Sequence, residues 1–562
     1  MKIALTGLLL VLLSFSGAKA QSAAPAGEFS QAFRATDKWL VLPVKNRAPK
    51  KNVELWVNGE KVRWFDIELA DGQPDWLAYL DISAWKGQEL TLKVDKLDAS
   101  SRAFHPIQQS KEDKNAGTVY AEPLRGQFHF SPKRGWTNDP NGLVYYNGEY
   151  HLFFQHNPYG VGWGNMHWGH AVSKDLLHWK ELGEALYPDA SGPMFSGGAV
   201  VDSNNTSGLG QGGKAPMVMF FTGAGTWGQY LAWSTDGRTF TKRKQAVVPR
   251  INEDNRDPKV IWYAPAKKWV MVVYVERDNK QHSMQILTSP DLQNWTPASI
   301  VMGGIDRDTY LFECPEFYEL PVEGSAGEKK WVLTAANSQY AIGSFDGTTF
   351  KPEEEKLQGQ HGRDYYASQT ISDEPSGRRI EIGWWRTNTN KDGNSFNQSQ
   401  SIPMELKLVR TAEGVRLSRT PVKELEKLRS ATHTVKATAL KEGGANPLAK
   451  IKAGPLEIRT SIEPGEAKEI TLDIHGLPVV YDVARQELVI DGVHAPAPLK
   501  DGKLDLIIYA DRIGVEVFTA DGLLFMPVNV NIDKDNQSLS LSAKGGSAQL
   551  HNMTVYALKS IW

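Results

Sequence analysis

One seven-residue phrase recurs four times in the chain: SKDLLHW at 173–179, STDGRTF at 234–240, SPDLQNW at 289–295 and SFDGTTF at 344–350. The shared pattern is Ser-x-Asp-(Leu or Gly)-x-x-(Trp or Phe), and its serines stand 61, 55 and 55 residues apart. Such spacing marks an internal repeat, longer than the period of most helical solenoids. Each phrase has the composition of a hairpin turn. Counting 31 to 34 residues back from each serine lands on Asp139, Asp202, Asp257 and Glu313. An acid is therefore expected at an equivalent place in every repeat.

Short apolar, β-rich runs follow turn signals at 150–154, 217–221, 269–274, 331–333 and 380–384. The turns are Asn147-Gly148, Gly212-Gly213, Ala266-Lys267, Gly327-Glu328 and Ser376-Gly377. A β-rich unit of this period predicts a propeller blade, a four-stranded sheet set round a central channel, and five runs predict five blades over 122–415. Innermost strands line the axis, so acids at one register would meet in one axial pocket. Residues 27–118 predict a small all-β accessory domain: Val53, Leu55 and Val57 alternate, Asn58-Gly59 supplies a hairpin turn, and Val62, Trp64 and Phe65 begin the return strand. The polar stretch 108–117 reads as a linker. Thr420-Pro421 reads as the start of a short helix holding Leu425 and Leu428, with Thr as N-cap and Pro at the first helical position. Runs at 470–474, 488–490, 504–509 and 515–518 predict a sandwich over 420–562. The fold class is all-β: a five-bladed β-propeller followed by a C-terminal β-sandwich, with a small N-terminal β-sandwich-like domain.

At 562 residues the chain is too long for one core. Its 63 Lys and Arg nearly cancel 65 Asp and Glu, which argues against nucleic acid or an anionic membrane as partner and for a neutral one. Eighteen Trp and eighteen Tyr suit the faces of sugars and equally suit a β-rich core. Met1-Lys2, an apolar run over 3–15 and Ala18-Lys19-Ala20 form an export signal over 1–20, placing the mature protein in the periplasm or outside the cell. No later stretch is apolar for long enough to span a bilayer as a helix. With Cys314 as the sole cysteine, no disulfide within the chain is available.

Three of the acids sit in segments built to hold a side chain. Asp139 lies in the turn-rich Gly135-Trp136-Thr137-Asn138-Asp139-Pro140-Asn141-Gly142, where the competing role is capping its own turn. Arg256-Asp257-Pro258 pairs a carboxylate with a cation. Phe312-Glu313-Cys314-Pro315 sets an acid among apolar neighbours, the surroundings a general acid uses to keep its proton. Asp202, followed by Ser203-Asn204-Asn205, reads as a turn cap despite its register. Cys314 reads as a buried packing residue. His167 and His170 lack a neighbouring Cys or carboxylate ligand and read as hydrogen-bonded structural histidines.

Trp136 to Gly142, Phe154-Gln155, Trp163-Gly164-Asn165-Met166-His167-Trp168-Gly169-His170, Phe195-Ser196-Gly197, Arg256-Asp257-Pro258 and Glu313-Cys314 together resemble the ordered signature of glycoside hydrolase family 32, the fructan hydrolases and invertases. The likeness continues through 511–518; the N-terminal module is outside it, and Thr137 stands where the family usually has Met. The resemblance implies a retaining β-fructofuranosidase, exo-acting on levan or inulin and also on sucrose, needing no metal or cofactor. Asp139 would be the nucleophile, Glu313 the acid and base, and Asp257 the stabiliser of the transition state, with Arg256 orienting it. Asn138, Gln155, Ser196 and Asp364 would bind sugar hydroxyls, and Trp163, Phe195 and Trp384 would form apolar walls. From the residues alone three rivals stay open: an endo-acting levanase, an inverting five-bladed glycosidase with carboxyls about 6.5–9.5 Å apart, and a non-catalytic fructan-binding protein.

Overall fold

The computed structural model describes residues 27–97, 101–113, 119–305, 310–390 and 393–562. The expected export signal at 1–20 lies outside the described residues, as does part of the expected linker. No helix among the described residues is long and apolar enough to cross a membrane.

Five four-stranded antiparallel blades form a ring. Blade 1 runs Gly135–Tyr146, Glu149–Asn157, His167–Ser173, Lys180–Leu186; blade 2 is Ala199–Val201, Met217–Gly223, Gly228–Ser234, Thr241–Lys242. Blade 3 is Asp254–Tyr263, Lys268–Glu276, Gln281–Ser289, Thr296–Ile305; blade 4 is Glu316–Pro321, Lys329–Thr334, Tyr340–Phe345, Phe350–Leu357. Blade 5 comprises Tyr365–Thr370, Arg379–Trp385, Met404–Thr411 and Gly414–Pro421. The first strand of each blade touches the first strands of its two neighbours, and blade 5 closes on blade 1. Phe396–Asn397 adds a parallel pairing onto Gly135–Tyr146 across that closure.

The repeated phrase is the turn between third and fourth strands of blades 1 to 4. Its chemistry is local. Asp175 Oδ1 accepts the N–H groups of Leu177 (3.1 Å) and His178 (3.0 Å), and Asp291 Oδ1 those of Gln293 (2.9 Å) and Asn294 (2.8 Å). The closing Trp179 and Trp295 donate Nε1–H to the carbonyls of Leu176 and Leu292 at 3.0 and 2.9 Å. The middle strands read as continuous apolar runs because each blade is covered on both faces; Met217–Gly223 is buried at every position. Separate apolar clusters fill the gaps between successive blades.

The N-terminal residues form two sheets, of four and three strands. Asn58 (φ 50°) and Gly59 (φ 80°) make the expected two-residue hairpin, with Val53, Leu55 and Val57 facing the core. The polar stretch from 108 is not simply a linker: Gln109–Ser110 pairs with Trp39–Leu40 as a further strand. At the other end, Thr420 and Pro421 pair with Glu405 and Met404, so the outermost strand of blade 5 runs past 415. A 3₁₀ helix follows at Lys423–Leu428, preceded by Val422 and without a side-chain cap. Pro421 is tolerated because it ends an edge strand, where its missing N–H is not needed. The C-terminal residues form facing sheets of seven and five strands. A buried triad fastens them to the propeller: His129 Nδ1 lies 2.8 Å from Asp511 Oδ2, and Nε2 lies 2.8 Å from Glu516 Oε2.

Candidate active site

Asp139, Asp257 and Glu313 come together at one end of the ring axis, from blades 1 and 3 and from the segment entering blade 4. Each is next to, or one residue from, a proline: Pro140, Pro258 and Pro315. Proline has no N–H for the ladder, so the innermost strand is free to depart from regular pairing there. Pairing slips between Thr137 and Pro140 and again between Arg256 and Lys259. These irregularities turn the acids toward the axis. Asp257 (φ 64°), Glu313 (φ 46°) and Cys314 (φ 43°) all occupy the left-handed region, strain of about 1–3 kcal/mol each that the surrounding packing must hold.

Every acid is gripped from another blade. Ser196 Oγ of blade 2 donates to Asp139 Oδ2 at 2.6 Å, and Asn138 Nδ2 donates to Oδ1 at 3.1 Å. Cys314 N–H donates to Asp257 Oδ2 at 3.1 Å; its Sγ lies 3.4 Å from that oxygen and 3.6 Å from Asp139 Oδ2. Arg256 Nε lies 3.3 Å from Glu313 Oε2 and 3.7 Å from Asp257 Oδ2, while its guanidinium covers the Tyr274 ring at 4.7 Å. The Tyr366 hydroxyl of blade 5 donates to Glu313 Oε1 at 2.8 Å. Glu313 is thus not enclosed by apolar groups as its sequence neighbours suggested. Phe312 and Pro315 flank it along the chain, but a guanidinium and a phenol reach it across the axis.

Burial pushes Asp257 up to about 7, against the Arg256 charge and with help from Glu313 and Asp139. Burial also raises Asp139, opposed by the Ser196 hydrogen bond and aided by Glu313. The Cys314 thiol is pushed far up by burial and then by the three carboxylates, so it stays protonated as a donor between two of them. Cys314 is therefore more than packing.

Around the acids, Asn138 receives Trp136 Nε1–H on Oδ1 (3.1 Å), and Gln400 Nε2 donates to its carbonyl at 2.7 Å. The same Gln400 nitrogen donates to the Thr137 hydroxyl at 3.2 Å, which gives the unusual Thr a partner. Gln155 is buried and donates to the Met194 carbonyl at 2.8 Å. Trp163, 58 % exposed, meets Phe195 edge-on, and Phe195 meets Trp227 in the same way. Trp384 stands between Trp136 and Tyr366, with Arg386 over both Trp384 and Tyr366. Asp364 pairs with Arg363 at 3.5 Å and is raised by burial. Tyr366, Trp136, Trp227 and Arg386 were not singled out from sequence; Tyr366 had a signal, since it is the second residue of the innermost strand of blade 5, directly after Asp364-Tyr365.

Asp202 is not part of this pocket. It follows Ala199–Val201 and caps the next turn, accepting from Thr206 and Ser207 N–H at 2.9 and 2.8 Å. The long connection to Met217–Gly223 lengthens this repeat, so a fixed count back stops short of the axial position that Ser196 fills. His167 and His170 do not converge either: His167 Nδ1 meets the Asn165 carbonyl, and His170 Nε2 lies 2.9 Å from His151 Nδ1. Among the described residues, Asp257, Glu313 and Cys314 form the one group with cation-ligand spacing, and the Arg256 guanidinium already stands against both its carboxylates.

Residues 129–421 match the glycosyl hydrolases family 32 N-terminal domain, and residues 424–557 match the glycosyl hydrolases family 32 C-terminal domain. A levanase of Bacillus subtilis (strain 168) is 39 % identical over 498 residues, covering 80 % of this chain and 72 % of that protein. An extracellular exo-inulinase of Aspergillus awamori is 30 % identical over 521 residues, covering 79 % of this chain and 96 % of that protein. The crystal structure of exo-inulinase from Aspergillus awamori superposes with a TM-score of 0.71 at 29 % identity, covering 79 % of this chain and all of that one.

Proposed function

The chain belongs to glycoside hydrolase family 32, and from that premise we propose that it is a retaining, exo-acting β-fructofuranosidase that removes terminal fructose from levan or inulin, and from sucrose. The observation that carries the reading is the bridging of Asp139, Asp257 and Glu313 by Cys314 and Arg256 in one partly open pocket.

In the first step a carboxylate oxygen of Asp139 attacks the anomeric C2 of the terminal fructosyl unit. Glu313 gives its proton to the departing glycosidic oxygen, and the bond from C2 to that oxygen breaks. An acylal-linked fructosyl-enzyme remains. In the second step Glu313, now a carboxylate, takes a proton from water; the water oxygen adds to C2 and Asp139 leaves, so the configuration at C2 is restored. Ser196 and Asn138 favour the carboxylate form of Asp139 by donating to it. Asp257, fixed by Cys314 N–H and beside Arg256, accepts from ring hydroxyls and stabilises positive charge developing at C2. Trp163, Phe195 and Trp384 supply rings against which sugar faces rest, with Gln155 and Asp364 as further polar contacts. Export to the periplasm or exterior is supported by the N-terminal sequence pattern and by the extracellular Aspergillus relative.

A chromatographic time course on levan, inulin and sucrose tests the reading. Fructose alone is expected in the first minutes, and a ladder of short oligomers would assign endo action instead. Asp139→Ala is expected to lose at least about 10⁴-fold in kcat with the fold intact by circular dichroism. Unchanged hydrolysis in that variant would remove the mechanism.

A further inference from the structure

Trp163 is carried by the connection between the second and third strands of blade 1, Glu149–Asn157 and His167–Ser173. Besides Met194 N–H, which donates to the Met166 carbonyl at 2.8 Å, and Phe195 against Trp163, three groups of contacts hold this loop. Within blade 1, Asn157 Nδ2 donates to the Gly162 carbonyl at 2.9 Å and Asn157 Oδ1 accepts Tyr159 N–H at 3.1 Å. From beyond blade 5's second strand, Asn397 Nδ2 donates to the Val161 carbonyl at 3.0 Å. The third group comes from the N-terminal module, which lies outside the residues matched by the family.

The module's contacts are the most extensive. Asp66 N–H donates to Asn165 Oδ1 at 2.9 Å, and Asn165 Nδ2 donates back to the Asp66 carbonyl at 2.8 Å. A side-chain amide thus pairs with the backbone of the module strand Glu60–Ile67 much as a neighbouring strand would. Asn165 sits at φ 48°, a conformation Asn tolerates better than most residues. The adjacent Phe65 stacks on Tyr159 with ring centroids 3.8 Å apart and planes 24° from parallel. Tyr159 and Val161 are buried in the same apolar cluster as Leu42, Val53 and Phe65 of the module. The apolar side of the loop therefore belongs to the module's core, while Trp163 points outward from it.

We propose that the N-terminal module is a positioning element of the active site: through Phe65, Asp66 and Asn165 it fixes the loop that presents Trp163, and so sets how tightly the pocket holds a fructan end. The proposal rests on the reading of Trp163 as a sugar-facing wall. No described residue of the module touches any of the three acids, so its effect falls on substrate capture and leaves the chemical step alone.

The test is a double-mutant cycle on the full chain. Phe65→Leu and Asn165→Gly are made singly and in a Trp163→Ala background, and kcat and KM are measured on levan and inulin. Each single variant is expected to raise KM about three- to tenfold, the range an aromatic contact spans. With kcat within about twofold of the parent, the effect should vanish in the Trp163→Ala background, because residues acting through one side chain are not additive. Unchanged KM in a variant whose melting temperature shows it folded would overturn the proposal. So would effects that multiply with Trp163→Ala. If Asn165→Gly does not fold, Phe65→Leu decides alone. A parent chain that releases no fructose from any of the substrates sinks the activity reading itself, before any variant is compared.

Discussion

Replacing Asp257 by Asn keeps the side chain's shape and removes one ionisable group from the acid cluster. In the fold Asp257 is 5 % exposed, and burial, opposed by Arg256 and aided by Glu313 and Asp139, pushes it up to about 7. An unfolded aspartate ionises near 3.9. The folded protein therefore holds this proton more tightly than the unfolded chain does. Below about pH 4 both states are protonated and the group contributes nothing; as pH rises to about 7 folding increasingly opposes its ionisation, and above 7 the whole cost is present. A displacement from about 3.9 to about 7, at about 1.4 kcal/mol per pH unit, amounts to about 4 kcal/mol. Asn can still accept Cys314 N–H, but it turns an amide N–H₂ toward Arg256, which costs about 1–2 kcal/mol. The variant should therefore be more stable than the parent by about 2–3 kcal/mol at pH 8, with that gain gone at pH 4. It should also lose about 10²–10³-fold in kcat, since a preorganised charge near C2 is removed. Thermal unfolding of both proteins from pH 4 to 8 measures the difference. A constant offset at every pH, or a variant less stable at pH 8, would refute the argument.

Ser196→Ala removes the 2.6 Å hydrogen bond to Asp139; hydrogen bonds to charged groups are worth about 1.5–3 kcal/mol, so kcat/KM should fall about ten- to a hundredfold. Because that bond opposes the rise in the Asp139 pKa, the acid limb of the kcat/KM profile should also move to higher pH, and an unmoved limb would contradict the assignment. His129, raised to about 9 by Asp511 and Glu516 against its burial, gives stability that is complete below about pH 6.5 and is lost as pH rises through 9. The gap in melting temperature between the parent and His129→Gln should therefore narrow over that window, and a gap of constant size would count against the triad. Gly197→Ala would put a Cβ 1.9 Å from the Phe220 carbonyl oxygen and 2.8 Å from its carbon, both backbone atoms that cannot turn away. This variant should not reach a native fold, and soluble protein with the parent's circular dichroism would contradict the close approach of the segment before Ala199–Val201 to Phe220.

The blades were legible because the repeated turn supplies its own hydrogen bonds: Asp175, Asp236, Asp291 and Asp346 each bind backbone N–H groups two and three residues on, independent of the rest of the fold. Counting from those turns worked only where the intervening loops are short, and Asp202 fell out of register because blade 2 has a long one. The Thr420-Pro421 signal failed for a related reason. A local preference for a helix start lost to the pairing of Gly414–Pro421 with Met404–Thr411. At the pocket, the acids could be read from their shared register and turn-rich segments, and Ser196 and Arg256 as site residues, but which acid each neighbour holds across the ring could not. Ser196, Cys314, Arg256 and Tyr366 reach them from other blades, 57, 175, 57 and 53 residues away along the chain. The consequence is physical as well as predictive. With Asp139 gripped from blade 2 and from the segment entering blade 4, and Glu313 from blades 3 and 5, the spacing of the acids is set by how the blades pack against one another. A substitution deep in a gap between blades, far from any sugar, should therefore alter catalysis by moving an acid relative to the group that holds it.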